Sequence, residues 1–256
     1  MLNLGGYAVN LLRIQWITDM QSNKSIFGWL TSKSRAILLI MLMVLVAWSR
    51  TDGQQRSRYG ARVCSLADYQ KLGDAFRLIR IDSLVPGIFL DIRYASACNF
   101  MGRVMYDRKA AYLVRPAAEA IKMVEDSLRK LGLGLVFYDG YRPYSVTVQF
   151  WNETKDRRYV ADPRDGSRHN RGCAVDVGLI RYCDKAYLEM PTPYDDFTSK
   201  AHAFTRRCSP EAMKNRKLLQ RLMVKHGFSI YPTEWWHFDF KGWKRYPLLD
   251  VGFGDL

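Results

Sequence analysis

The chain has 256 residues, 48% of them hydrophobic and 13% aromatic, with a formal net charge of +14. That composition supplies a packed core and excludes global disorder, and the length suits one good-sized domain with appendages. Residues 1–63 carry +6 and the remainder +8 without long basic runs, which describes a solvated basic surface suited to anionic surroundings rather than a nucleic-acid site.

Ala36–Trp48 is an unbroken apolar run behind Lys24, Lys33 and Arg35. As a helix it would rise only about 20 Å, short of the ~30 Å hydrocarbon core of a bilayer. A basic stretch, a short apolar core and small residues at Ala47 and Ser49 read as an export signal with its cleavage site, a retained envelope anchor being the alternative. Residues 1–49 are therefore assigned to a leader, and the protein to the periplasm or cell envelope. Residues 50–64 are polar and aperiodic, and a flexible linker is expected over 50–74, with the folded domain over 75–256. Cys64, Cys98, Cys173, Cys183 and Cys208 include no CxxC pair. They argue against a cysteine metal site and fit an exported chain that forms a disulfide with at least one thiol left over.

Within the domain, Leu78–Ile81 and Ile88–Ile92 flank Pro86-Gly87 and predict two short extended segments around a turn. Ala117, Ala120, Ile121, Val124, Leu128 and Leu131 follow helical spacing over Pro116–Leu131, ended by Gly132 and Gly134. Leu135–Tyr138 is a predicted strand leading into Asp139-Gly140-Tyr141-Arg142-Pro143. Ala174–Ile180 is another. Ser209 as cap and Pro210 in the first turn start a helix that runs to about His226 and stops at Gly227. Phe228–Tyr231 and Trp235–Phe240 are the last two predicted strands. Strands and helices alternate without a βαβ rhythm, so the class is α+β: a small mixed or antiparallel sheet backed by helices.

Two segments carry the chemistry. Ser167-Arg168-His169-Asn170-Arg171-Gly172-Cys173-Ala174-Val175-Asp176 and Glu234-Trp235-Trp236-His237 together offer two imidazoles, a carboxylate ligand and a spare carboxylate. A catalytic zinc site needs three protein ligands, an open position and a general base beside it. In one continuous strand His169 and Asp176 would lie on opposite faces some 20 Å apart. Gly172 allows the chain to turn before the strand, leaving Ala174 and Asp176 on the metal face and Cys173 and Val175 on the other. Glu234 would lie opposite His237 in a regular strand, but Pro232 suggests a bend that brings its carboxylate round. Asp239 shares the face of His237 and competes as a ligand, though a supporting carboxylate is the better reading. Arg142, presented from a tight turn, suits an oxyanion stabiliser, the alternative being an ordinary surface arginine; Asp139 either holds it or closes an Asx-turn.

Tyr138-Asp139-Gly140-Tyr141-Arg142-Pro143, Ser167-x-His169-x-x-Gly172-x-Ala174-x-Asp176 and Glu234-Trp235-Trp236-His237 resemble the zinc D-alanyl-D-alanine dipeptidases, including the vancomycin-resistance type, within the D,D-peptidase and Hedgehog-like fold group. The likeness runs from about Asp91-Ile92-Arg93-Tyr94 to the C-terminus. It implies one Zn2+ per chain on His169, Asp176 and His237, with Glu234 as base and Arg142 as transition-state stabiliser. Recognition of the substrate's free amino group falls on Tyr94, Ser167 and Asp195. The implied partner is a small D-amino-acid dipeptide, D-Ala-D-Ala, cleaved in peptidoglycan turnover. Other activities of the same fold are a D,D-carboxypeptidase or L,D-endopeptidase on longer wall peptides, and a non-catalytic zinc-binding module. Cys173 stands where Ser or Ala is expected, and strand parity turns it away from the metal.

Overall fold

Apolar spacing sorts residues 57–256, those described by the computed structural model, into nine strands and five helices. The strands are β1 (Val63–Cys64), β2 (Leu78–Arg80), β3 (Phe89–Leu90), β4 (Tyr112–Val114), β5 (Leu133–Asp139), β6 (Ala174–Arg181), β7 (Phe228–Ile230), β8 (His237–Phe240) and β9 (Leu248–Leu249). The helices are α1 (Leu66–Tyr69), α2 (Ile81–Leu84), α3 (Arg115–Arg129), α4 (Tyr144–Glu153) and α5 (Pro210–Lys225). The export signal expected at Ala36–Trp48 lies outside the described residues. Among those described, no helix is long and apolar enough to cross a membrane.

A five-stranded sheet ordered β3-β5-β6-β8-β7 forms the centre. The β3–β5 pair is parallel and the other three pairs are antiparallel, so the sheet is mixed and the class is α+β, as expected. Its central strands are buried along almost their whole length. Helix α3 presents Ala117, Ala120, Ile121, Val124 and Leu128 to the core, and Gly132 ends its run in the left-handed region at φ 71°. Helix α5 begins as predicted: the Ser209 hydroxyl accepts from the Ala212 N–H at 3.0 Å, with Pro210 in the first turn.

Three features depart from the expectations. The linker expected over 50–74 is structured in its second half: Val63 and Cys64 pair in parallel with Leu248 and Leu249, and Tyr69 is buried and accepts from the Leu78 N–H at 2.9 Å. The reason is tertiary, because a polar-looking segment covers an apolar C-terminal strand. Helix α4 and strand β4 were not anticipated. All five cysteines are free thiols, with Cys64 and Cys173 buried, so no disulfide forms.

Candidate metal centre and active site

Strand β5 delivers the first part of the site. Its register against β6 shifts between Phe137 and Asp139, a bulge that sets Asp139 opposite Asp176. Bulges beside functional sites re-aim a side chain in this way. Fully buried, Asp139 accepts from the Tyr106 hydroxyl at 2.8 Å and from the Gly140 N–H at 2.9 Å. Its other oxygen takes Arg142 Nη2 at 2.6 Å and Nε at 3.2 Å. Arg142 is thus a buried arginine held by Asp139 and packed over the rings of Phe150 (4.8 Å) and Tyr94 (5.2 Å). Burial works against its charge, but Asp139 more than compensates and the guanidinium stays protonated.

The second part is the turn His169–Arg171, closed by Gly172 at φ 61° with its N–H on the His169 carbonyl at 3.0 Å. Only glycine fits there, since a Cβ would stand 2.6 Å from Leu78 Cδ2 and 3.1 Å from the Val114 nitrogen. After this reversal Asp176 emerges from β6 directly opposite His237 of β8. Cys173 is buried, as strand parity required, and burial pushes its thiol well up. The chain bends at Pro232–Trp236 before β8 begins, which brings Glu234 Oε2 to 3.6 Å from His237 Nδ1.

Three atoms converge. His237 Nδ1 lies 3.0 Å from Asp176 Oδ1 and 3.2 Å from His169 Nε2, and His169 Nε2 lies 3.5 Å from Asp176 Oδ1. Tetrahedral ligands at 2.0–2.2 Å from a zinc ion stand about 3.3–3.6 Å apart, so this buried His-Asp-His set has the size and chemistry of a metal site. The outer nitrogens are also spoken for. His169 Nδ1 meets the Gly140 carbonyl at 2.6 Å, and His237 Nε2 meets Asp239 Oδ1 at 3.0 Å. Those contacts fix the tautomers that leave His169 Nε2 and His237 Nδ1 free to ligate. Asp239 is therefore a supporting carboxylate and not a fourth ligand. Burial disfavours the Asp176 anion, yet the two imidazoles hold its carboxyl well below the usual range.

A cavity of about 320 Å³ opens over this cluster, lined by His169, Asp176, His237, Glu234, Arg142, Tyr94, Ser167 and Asp195. All eight residues singled out in the sequence meet in one place. Burial raises the pKa of Glu234. Asp195, held in the left-handed region at φ 60°, accepts from the Tyr94 hydroxyl at 3.3 Å, and burial with the nearby Asp176 charge pushes it up to about 8. Ser167 Oγ accepts from the His169 N–H at 3.2 Å. Two further contributors carry no signal in the sequence. Tyr194 donates to Asp176 Oδ2 at 3.0 Å and stacks on Tyr138 at 4.6 Å. Asn170 ties the metal-binding turn to the Arg142 carbonyl at 2.9 Å and to Thr147 Oγ1 at 2.8 Å. No spacing marks either residue; only the neighbouring Asp195 and His169 pointed to their segments.

Fold and site together define a metallopeptidase. Residues 74–248 match the family described as D-ala-D-ala dipeptidase, and the chain belongs to that family. It is 33% identical to the D-alanyl-D-alanine dipeptidase of Escherichia coli over 70% of this chain and 92% of that protein. To the enzyme of the same name from Enterococcus faecalis it is 27% identical, over 68% and 93%. Among solved structures, the LdcB LD-carboxypeptidase aligns with a TM-score of 0.35 at 24% identity, over 52% of this chain and 61% of that one. The assignment rests on the sequence matches.

Proposed function

We propose that this chain is a zinc-dependent dipeptidase that cleaves D-Ala-D-Ala in peptidoglycan turnover. The observation that carries the reading is the meeting of Glu234 and Arg142 with the His169, Asp176 and His237 cluster in one cavity. A silent binding module has no need of that pair. The donor set suits zinc, which when bound lowers the pKa of water and polarises a carbonyl as a Lewis acid.

The residues divide the remaining work. Glu234, made more basic by its burial, takes the proton of the attacking water and returns it to the departing amine. Arg142 cannot swing away, because Asp139 and two rings hold it, and its fixed charge faces the oxyanion that develops on the carbonyl. Asp195, with Tyr94 and Ser167, receives the substrate ammonium, which restricts cleavage to a residue bearing a free amino terminus. The names of the curated relatives support the dipeptide substrate, and the apolar run at Ala36–Trp48 supports action outside the cytoplasm.

The test pairs one variant with one altered substrate. Glu234→Ala is expected to lose about a thousandfold or more in kcat on D-Ala-D-Ala while retaining bound zinc. N-acetyl-D-Ala-D-Ala is expected to resist the parent enzyme. Equal rates on the free and acetylated dipeptides would move the reading to a D,D-carboxypeptidase or endopeptidase.

A further inference from the structure

A dipeptide that enters with its ammonium at Asp195 carries a carboxylate at its other end, and no residue described so far receives it. The cavity is electrically polar across the metal cluster. On one side the Tyr94 hydroxyl lies 3.3 Å from Asp195 Oδ2 and 3.5 Å from the Tyr194 hydroxyl, which donates to Asp176 Oδ2 at 3.0 Å. On the other side His237 Nε2 meets Asp239 Oδ1 at 3.0 Å, and Asp239 Oδ2 lies 3.3 Å from Arg168 Nε. Each group is thus linked to the ligand set through its own chain of contacts, the carboxylate of Asp195 through Asp176 and the guanidinium of Arg168 through His237, and both line the same cavity.

Arg168 is built to stay there. It directly precedes His169, so the turn that aims the imidazole also fixes its backbone. Its guanidinium packs over Trp243 at 4.8 Å and Tyr231 at 5.5 Å. Arg168 Nε stands 3.3 Å from Asp239 Oδ2 as an ion pair without a hydrogen bond, and none of the three guanidinium nitrogens has a hydrogen-bond partner among the described residues. The other arginines on the cavity wall are committed elsewhere: Arg142 to Asp139, and Arg158 by a two-pronged contact to Asp156 with 78% of its side chain exposed. A guanidinium held by two rings, with its donors not yet hydrogen-bonded, suits a carboxylate.

Resting on the dipeptidase reading, we propose that Arg168 forms the subsite for the terminal carboxylate of the substrate and so sets the direction in which the dipeptide lies. The chain then recognises both ends of its substrate, and a peptide extended beyond the second residue loses the anchor.

Hydrolysis of D-Ala-D-Ala is compared with that of its C-terminal amide, in the parent and in Arg168→Gln and Arg168→Lys, with zinc content measured for each. The parent is expected to prefer the free acid, and Arg168→Gln to lower kcat/KM on the acid by about tenfold to a hundredfold while leaving the amide rate nearly unchanged. Arg168→Lys is expected to regain part of the preference. An equal loss on both substrates, or a loss of zinc, would overturn the proposal and make Arg168 a positioning residue acting through Asp239. A parent that cleaves acid and amide equally would overturn it while sparing the dipeptidase reading; a parent that cleaves neither defeats that reading itself.

Discussion

At Asp195 burial and the Asp176 charge push the side chain up to about 8, against an ordinary value of 3.8. Below its ordinary value both folded and unfolded chains hold the proton. Between about pH 4 and pH 8 the folded chain keeps a proton that the unfolded chain has released, so this group withdraws stability as pH rises through that window. Melting of the metal-free protein should show it: Asp195→Asn is expected to melt at the parent's temperature near pH 4 and above it near pH 9. A melting difference that does not change with pH would contradict the assignment. Asp239 acts through geometry. By receiving His237 Nε2 it leaves Nδ1 toward the metal, and Asp239→Asn is expected to weaken zinc binding by about tenfold to a hundredfold in a chelator competition. The metal-binding side chains were legible in the sequence because His, Asp and Glu at these spacings have few uses in common. Tyr194 was not, since a tyrosine that orients a carboxylate looks like any core aromatic until Asp176 is seen beside it.

Among the elements, the reversal at Gly172 carries the site and the start of α5 does not. Gly172→Ala places a Cβ against Leu78 and Val114 in a left-handed conformation. It is expected to cost roughly 2 kcal/mol or more in denaturant unfolding and to lower zinc affinity, because His169 and Asp176 then diverge. Ser209→Ala removes only the cap of α5, which takes no part in the cavity wall; about 1 kcal/mol of stability should go with kcat/KM unchanged. The same contrast explains what could be read in advance. Helix α3 announced itself by periodic apolar positions ended at Gly132, and α5 by its Ser209 cap and Pro210. Helix α4 did not: Val146, Thr147 and Val148 favour strands, and its helical form rests on burying Tyr144, Thr147 and Phe150 along one side. Strand β4 was hidden for a similar reason, being a three-residue strand held by β2 and by the Gly172 carbonyl.

At the scale of the whole molecule, the described domain is closed by a contact between its first strand and its last. Val63 and Cys64 pair with Leu248 and Leu249, and the Asp250 N–H donates to the Cys64 carbonyl at 3.2 Å. A two-residue strand whose partner lies so far along the sequence leaves no local pattern, so nothing in the sequence marks the pairing of Val63 and Cys64. A chain beginning at residue 75 is expected to melt well below one beginning at residue 57, having uncovered Leu248, Leu249 and the surface under Tyr69. The central claim is that His169, Asp176 and His237 grip one ion. Elemental analysis of zinc in the parent and in His169→Ala, Asp176→Ala and His237→Ala, each checked for folding by circular dichroism, tests it most directly. The account predicts one zinc per parent chain and substantially less in every folded variant; a parent without zinc, or variants that keep a full equivalent, would contradict it.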